Sequence, residues 1–95
     1  MIHLRTAEEM DVIARGGAII AGLLEELPSQ IRPGLSTAAL DAFCERYIVS
    51  HEGAVPAFKG LYGFAGSVCV SLNEEVVHGI PSSKRVLAEG DIVSV

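Results

Sequence analysis

The chain has 95 residues, of which 49% are hydrophobic and 20% are charged, and its net charge is −5. This length allows one domain with a modest core and excludes a complete two-domain enzyme. The composition excludes a disordered chain, and the acidic balance without a basic cluster argues against a nucleic-acid partner. A mean hydropathy of +0.42 requires a buried surface, either within the chain or against a partner.

The first predicted element is a helix over residues 6–27. Thr6 is a favourable N-cap, and Glu9 follows three positions later, which is the spacing of a capping box. Apolar and small residues then recur at helical spacing. These residues are Met10, Ile13, Ala14, Gly17, Ile20, Ala21, Leu24 and Leu27. Because proline disfavours helix continuation, we expect Pro28 at or just beyond the end of this helix.

A second helix is predicted after the turn at residues 32–34. Ser36 or Thr37 is expected to cap it, and it extends to about His51, with Gly53 as its C-terminal glycine. Its apolar residues fall on one face. They are Leu40, Phe43, Cys44, Tyr47 and Ile48.

The remaining residues predict short strands separated by glycine and proline. Residues 67–72 are expected to form a strand that pairs, across a turn at 73–74, with a second strand at 75–78. Residues 91–95 begin an apolar strand with no polar residue behind it, which we interpret as a strand cut before its end. The sequence therefore predicts an α/β (α+β) chain with two helices followed by a small antiparallel sheet.

No spacing in the chain is typical of a complete metal or nucleophile site. The three histidines are not paired at four-residue spacing, and His51-Glu52 fails as H-E-x-x-H because Val55 occupies the last position. Cys69 has no neighbouring cation to stabilise a thiolate, which favours a small buried residue. We therefore predict no divalent-metal site within these residues.

Two features of the sequence each allow two interpretations. Gly60, Gly63 and Gly66 form a loop with aromatic residues between them, which fits either the wall of an apolar pocket or a plain surface loop. His78 precedes residues 79–81, Gly-Ile-Pro, where proline fixes the turn and glycine leaves room for a neighbour. This suits a directed functional imidazole, and a histidine satisfied by backbone groups is the alternative.

Cysteine usage and the N-terminus predict a cytoplasmic protein. Cys44 and Cys69 are too few for a disulfide framework and lack C-x-x-C spacing. Residues 1–15 carry acidic side chains and no continuous apolar segment of the kind that a signal peptide needs. No apolar run reaches the roughly 18 residues of a membrane span, so we expect no membrane partner.

Several segments together carry a family resemblance. Residues 60–81 read G-L-Y-G-F-A-G-S-V-C-V-S-L-N-E-E-V-V-H-G-I-P, and residues 87–95 read L-A-E-G-D-I-V-S-V. With R-G-G-A at 15–18 and R-P-G at 32–34, they closely resemble type I methionine aminopeptidases over the whole chain. The resemblance implies a pita-bread fold of two similar halves around a dinuclear metal site, with residues 1–95 as the N-terminal half of the catalytic domain.

The resemblance implies roles for individual residues. His78 matches the histidine that hydrogen-bonds the substrate beside the scissile amide, so it is the predicted catalytic residue. Cys69 and Phe64 match residues that line the pocket for the methionine side chain, and a soft sulfur and an aromatic ring suit a thioether. Phe58 and Leu61 stand at two further pocket positions, where the family commonly has cysteine and tyrosine.

The resemblance also implies ions. Backbone carbonyl groups near Asn73 and Glu75 match a monovalent-cation site. The intact family binds two divalent ions, such as cobalt, manganese, iron or zinc, and its first aspartate ligand would follow Val95. Asp91 matches the turn aspartate before that strand and is not a ligand. We therefore expect no divalent-metal ligand in this chain and no activity from the chain alone.

Two hypotheses follow for the function. The first is the N-terminal half of a metal-dependent methionine aminopeptidase, whose partners are the N-terminal methionine of nascent peptides and the missing C-terminal half of the fold. The alternative is a non-catalytic half-fold module that binds a partner or a complementing half, because an unfinished strand offers an edge for pairing.

Overall fold

The computed structural model describes all 95 residues, Met1–Val95. Two helices come first, α1 at Ala7–Gln30 and α2 at Thr37–Val49. A short 3₁₀ helix at Leu61–Gly63 precedes two strands, β1 at Ser71–Leu72 and β2 at Val93–Ser94. The predicted order of two helices followed by a small antiparallel sheet is confirmed.

Helix α1 begins as its capping box predicts. The Glu9 amide donates to Thr6 Oγ1 at 3.2 Å, and the Thr6 amide donates to Glu9 Oε2 at 2.7 Å. The predicted end is wrong, because the helix continues through Pro28 to Gln30. Proline removes only its own amide donor, and the Ile31 amide still reaches the Leu27 carbonyl oxygen at 3.2 Å.

Helix α2 begins at the first of the two predicted caps. Ser36 is the N-cap residue, and its Oγ accepts from the Ala39 amide at 3.0 Å. The helix ends at Val49, two residues before the predicted end. Gly53 lies in the following turn with a φ of +80°, a conformation that glycine adopts without a steric penalty.

The predicted hairpin between residues 67–72 and 75–78 is wrong. Strand β1 instead pairs antiparallel with β2, with Ser71 opposite Ser94 and Leu72 opposite Val93. Segment 75–78 is not a strand, because Asn73 and His78 have left-handed φ angles of +52° and +62° that interrupt an extended backbone.

The core joins both helices to the sheet. Its six buried residues are Leu23, Leu27, Leu40, Cys44, Ile48 and Val70. Only the C-terminal half of α1 contributes to this core, since Met10, Val12 and Ile13 are exposed. Neither helix combines the length and the apolar character that a membrane span requires.

Candidate functional site

Helix α2 holds the segment that follows His78. The hydroxyl of the fully buried Thr37 donates to the Ser82 carbonyl oxygen at 3.1 Å and accepts from the Ser82 amide at 2.8 Å. The Ala38 amide also donates to the Ser82 carbonyl oxygen at 3.2 Å. The first turn of α2 thus fixes the backbone four residues after His78.

The same helix holds the segment that precedes Cys69. Asp41 lies one turn after Thr37, and its Oδ1 accepts from the amides of Ser67 and Val68 at 2.7 and 2.9 Å. A Cβ atom at Gly66 would lie 3.0 Å from Asp41 Oδ1 and 2.9 Å from Pro81 Cγ. Glycine at position 66 therefore lets this segment approach both α2 and the turn after His78.

The predicted pocket residues Phe58, Leu61 and Phe64 lie in one hydrogen-bonded turn. The Leu61 amide donates to the Phe58 carbonyl oxygen at 3.0 Å, and the Phe64 amide donates to the Leu61 carbonyl oxygen at 2.9 Å. Phe58 and Leu61 are about half exposed, whereas Phe64 is partly buried. Phe58 also lines an open groove of about 840 Å³ against the exposed half of α1.

The two cysteines differ in their surroundings. Cys69 is partly buried and follows directly after the segment that Asp41 holds. Cys44 is fully buried in the core, and burial, with a smaller contribution from the Asp41 charge, raises the pKa of its thiol to about 11. Cys44 is therefore a packing residue that stays protonated at neutral pH.

His78 is exposed, and its neighbour Gly79 is tied to the sheet. The Val70 amide donates to the Gly79 carbonyl oxygen at 2.9 Å, and the Gly79 amide donates to Ser71 Oγ at 3.0 Å. A Cβ atom at Gly79 would collide with the Val70 carbonyl oxygen, so the room left by this glycine is filled by the backbone before β1. The prediction that His78 ends a strand is wrong, but its backbone is firmly placed.

The segment that carries His78 is also held by Arg85. Its guanidinium pairs with the Glu75 carboxylate through Nη2 and donates from Nη1 to the Ile80 carbonyl oxygen at 3.2 Å. The same Glu75 carboxylate accepts from the Leu72 amide at 3.0 Å. Arg85 thus links both ends of the segment that contains His78.

Asn73 and Glu75, the residues predicted at a cation site, lie in the turn after β1. Their carbonyl oxygens accept no hydrogen bond from the chain. The Asn73 side chain donates to Asp91 Oδ1 and accepts from the Ile92 amide, both at 3.0 Å. A hydrogen bond from the Ala88 amide, and then that from Asn73, lower the pKa of Asp91. The turn after β1 therefore makes hydrogen bonds to the C-terminal segment that contains β2, and it makes none to the Phe58–Phe64 turn.

The sequence profile of metallopeptidase family M24 matches residues 11–95. The chain belongs to this family. It is 52% identical over all 95 residues to methionine aminopeptidase 1 of Bacillus subtilis, of which it covers 38%. It is 40% identical over 94 residues to the Escherichia coli methionine aminopeptidase, of which it covers 36%. The chain therefore spans less than two fifths of the length of these M24 relatives.

Solved structures of this family show the same fold. The Thermotoga maritima methionine aminopeptidase matches 98% of the chain with a TM-score of 0.91 at 36% identity. The Rickettsia prowazekii enzyme matches 98% with a TM-score of 0.89 at 35% identity. In each case the chain covers 37% of the solved structure. The predicted class, the N-terminal part of a pita-bread fold, is confirmed.

Membership of a metallopeptidase family implies divalent metal ions as cofactors. Nowhere in this chain do three or more His, Cys, Asp or Glu side chains form a group that could hold a metal ion. The residues present therefore do not fit a metal centre.

Three residues that shape the site were missed in the sequence. Thr37 and Arg85 hold the segment around His78, and Asp41 holds the segment before Cys69, by contacts that cross between 5 and 45 residues of sequence. One local signal was available for two of them. Thr37 and Asp41 are four residues apart, so they share one face of α2 and can hold neighbouring segments.

Proposed function

We propose that this chain provides the substrate-binding part of a methionine aminopeptidase, which removes the N-terminal methionine of nascent peptides by metal-dependent hydrolysis. The observation that carries the proposal is the pair of hydrogen bonds around Gly79. They hold Gly79, the residue after His78, against Val70 and Ser71, and Val70 follows directly after Cys69. A histidine and a methionine pocket would thus share one short stretch of backbone.

The proposed site residues have different roles in substrate binding. His78 would hydrogen-bond the substrate beside the scissile amide, because its imidazole is exposed and its backbone is fixed. The methionine side chain would contact Phe64 and Cys69, with Phe58 and Leu61 completing the pocket. A polarizable thioether makes favourable contacts with aromatic rings and sulfur, which supports methionine as the residue bound.

The proposal also includes a monovalent cation and two divalent metal ions. The free carbonyl oxygens of Asn73 and Glu75 are suitable ligands for a monovalent cation. The two divalent ions, for which cobalt, manganese, iron and zinc are the candidates, would be held by a complementing C-terminal half. Residues 1–95 are thus proposed to be the N-terminal half of a cytoplasmic catalytic domain that is inactive alone.

A direct assay tests this division. We expect the 95-residue chain to release no methionine from a Met-Ala-Ser peptide in the presence of cobalt, manganese or iron. A chimera in which this chain replaces the matching part of the B. subtilis relative is expected to release it. Turnover by the chain alone would contradict the proposed inactivity, and an inactive but folded chimera would contradict the proposed function.

The role of His78 gives a sharper test in the same chimera. We expect His78→Ala to lower kcat by about 100-fold, the usual loss when a hydrogen bond to the transition state is removed. Metal content, measured by atomic absorption, is expected to stay unchanged. Loss of metal would instead identify His78 as a ligand.

The alternative, a non-catalytic module that binds a partner or a complementing half, is favoured by a different observation. The N-terminal half of α1 exposes Met10, Val12 and Ile13, and Val12 lines the open groove. Large exposed apolar patches mark interaction surfaces. Sedimentation of the 95-residue chain tests this function, because a stable and non-associating monomer would remove its support.

A further inference from the structure

We propose that Asp41 is a positioning residue that sets the methionine pocket, an inference that rests on the function proposed above. The Asp41 side chain makes no hydrogen bond to the proposed catalytic residue or to any pocket side chain identified from the sequence. It acts through the backbone of Ser67 and Val68, which lie between the Phe58–Phe64 turn and Cys69.

The contact between Asp41 and the backbone of residues 67–68 is strong. Two neighbouring amides converge on one oxygen, Oδ1 of Asp41, at 2.7 and 2.9 Å. Hydrogen bonds to an ionised acceptor are about twice as strong as neutral ones. Asp41 forms no ion pair, and its carboxylate is partly buried, so no cation competes for this oxygen. The contact is a specific anchor for the pocket segment.

The Asp41 contact lies where two segments of the candidate site meet. Gly66 brings the chain so close that an added Cβ would meet both Asp41 and Pro81. The segment before Cys69 and the turn after His78 therefore meet at Gly66, beside Asp41. A change at this junction shifts the pocket relative to His78, because Cys69 follows Val68 directly.

Two residues on one face of α2 hold two different segments. Asp41 holds the pocket segment, whereas Thr37, four residues earlier, holds Ser82 and the turn after His78. Substitution of Asp41 should therefore affect methionine binding, and substitution of Thr37 should affect the position of His78. A merely structural role for either residue would not produce such a division.

The test uses the chimera with the B. subtilis relative and a Met-Ala-Ser peptide. Asp41→Ala is expected to raise KM about tenfold and to leave kcat within about twofold, because uniform substrate binding is lost. Asp41→Asn keeps an acceptor oxygen without the charge, so it is expected to raise KM by only about threefold. Thr37→Val is expected to lower kcat more than it raises KM. Asp11→Asn, an exposed aspartate on α1, is the control and is expected to match the native chimera.

Amide hydrogen exchange in the 95-residue chain gives a readout that needs no activity. The Ser67 and Val68 amides are expected to exchange at least about tenfold faster in Asp41→Ala than in the native chain. Equal exchange in both chains would overturn the anchor.

The kinetic outcomes distinguish this inference from the function on which it rests. An active chimera with an unchanged KM in Asp41→Ala overturns the role of Asp41 alone. A chimera that is folded but inactive overturns the proposed function, and the pocket role of Asp41 fails with it.

Discussion

The two halves of helix α1 follow the same helical spacing of apolar residues but meet different surroundings. Ile13 in the N-terminal half is 62% exposed, whereas Leu27 in the C-terminal half is only 4% exposed. Helical spacing therefore identifies an apolar face but does not determine what covers it. In this chain α2 and the backbone before β1 cover one half, and an open groove of about 840 Å³ adjoins the other.

The test with the largest expected effect substitutes one apolar residue in each half of α1. Leu27→Ala is expected to lower the free energy of unfolding by about 3 kcal/mol, because it leaves a cavity in the core. Ile13→Ala is expected to change it by less than about 0.5 kcal/mol, as for an exposed side chain. Urea denaturation of the 95-residue chain measures both values. Similar losses at both positions would mean that the N-terminal half of α1 is covered in solution.

A second test compares a glycine at the candidate site with one on the uncovered half of α1. Gly79→Ala is expected to lower the free energy of unfolding by about 2 kcal/mol, because its Cβ collides with the Val70 carbonyl oxygen. An added Cβ at Gly16 meets no atom within 4 Å. Gly16→Ala is thus expected to stabilise the chain by up to about 1 kcal/mol, since alanine favours helix.

Thermal denaturation followed by circular dichroism checks the direction of both changes. A Gly79→Ala chain as stable as the native one would mean that the backbone around His78 is not held against Val70.

The smallest expected effect concerns pH. Hydrogen bonds from the Ala88 amide and from Asn73 hold the pKa of Asp91 below its usual value of 3.8. A carboxylate whose pKa is lowered by folding stabilises the fold above the unfolded-state pKa. This contribution is lost as the pH falls through the folded-state pKa. Asp91→Asn is therefore expected to weaken the decrease of the urea midpoint between about pH 5 and pH 2.

Asp11→Asn is the matched control for Asp91→Asn, since the Asp11 side chain makes no hydrogen bond on the exposed half of α1. It is expected to keep the native pH dependence. An equal change in both variants would assign the effect to net charge and not to the Asp91 contacts.

Local contacts made much of the fold predictable from the sequence. The start of α1 follows from a capping box within four residues, and Ser36 caps α2 through an amide three residues away. The helix end at Gln30 does not follow from the position of Pro28, because the Ile31 amide still donates to the Leu27 carbonyl oxygen beyond this proline.

The strand pairing was not predictable from neighbouring residues. Leu72 pairs with Val93, 21 positions later, and the expected partner segment turns away at Asn73 and His78. The valines that suggested a strand there, Val76 and Val77, are exposed. Their β-propensity was therefore outweighed by the two left-handed residues and by the Glu75 contact with Leu72.

The candidate site was predictable only in part. The motif from Gly60 to Pro81 contains side chains that suit a methionine pocket. It also contains His78, whose imidazole suits hydrogen bonding. It does not reveal Asp41, because the contact with Ser67 crosses 26 residues. Motifs thus predict the groups of a candidate site, while the residues that hold these groups emerge only from the fold.

The contact between Thr37 and Ser82 has a consequence for the order of folding. It spans 45 residues, so the chain must close a long loop before the hydroxyl meets its partner. Helices form in about a microsecond or less, whereas long-range pairing is slow because loop closure costs entropy before any contact is gained. Helix α2 is therefore expected to form early and the backbone around His78 to be ordered late. A newly made chain would then acquire its scaffold before its candidate site.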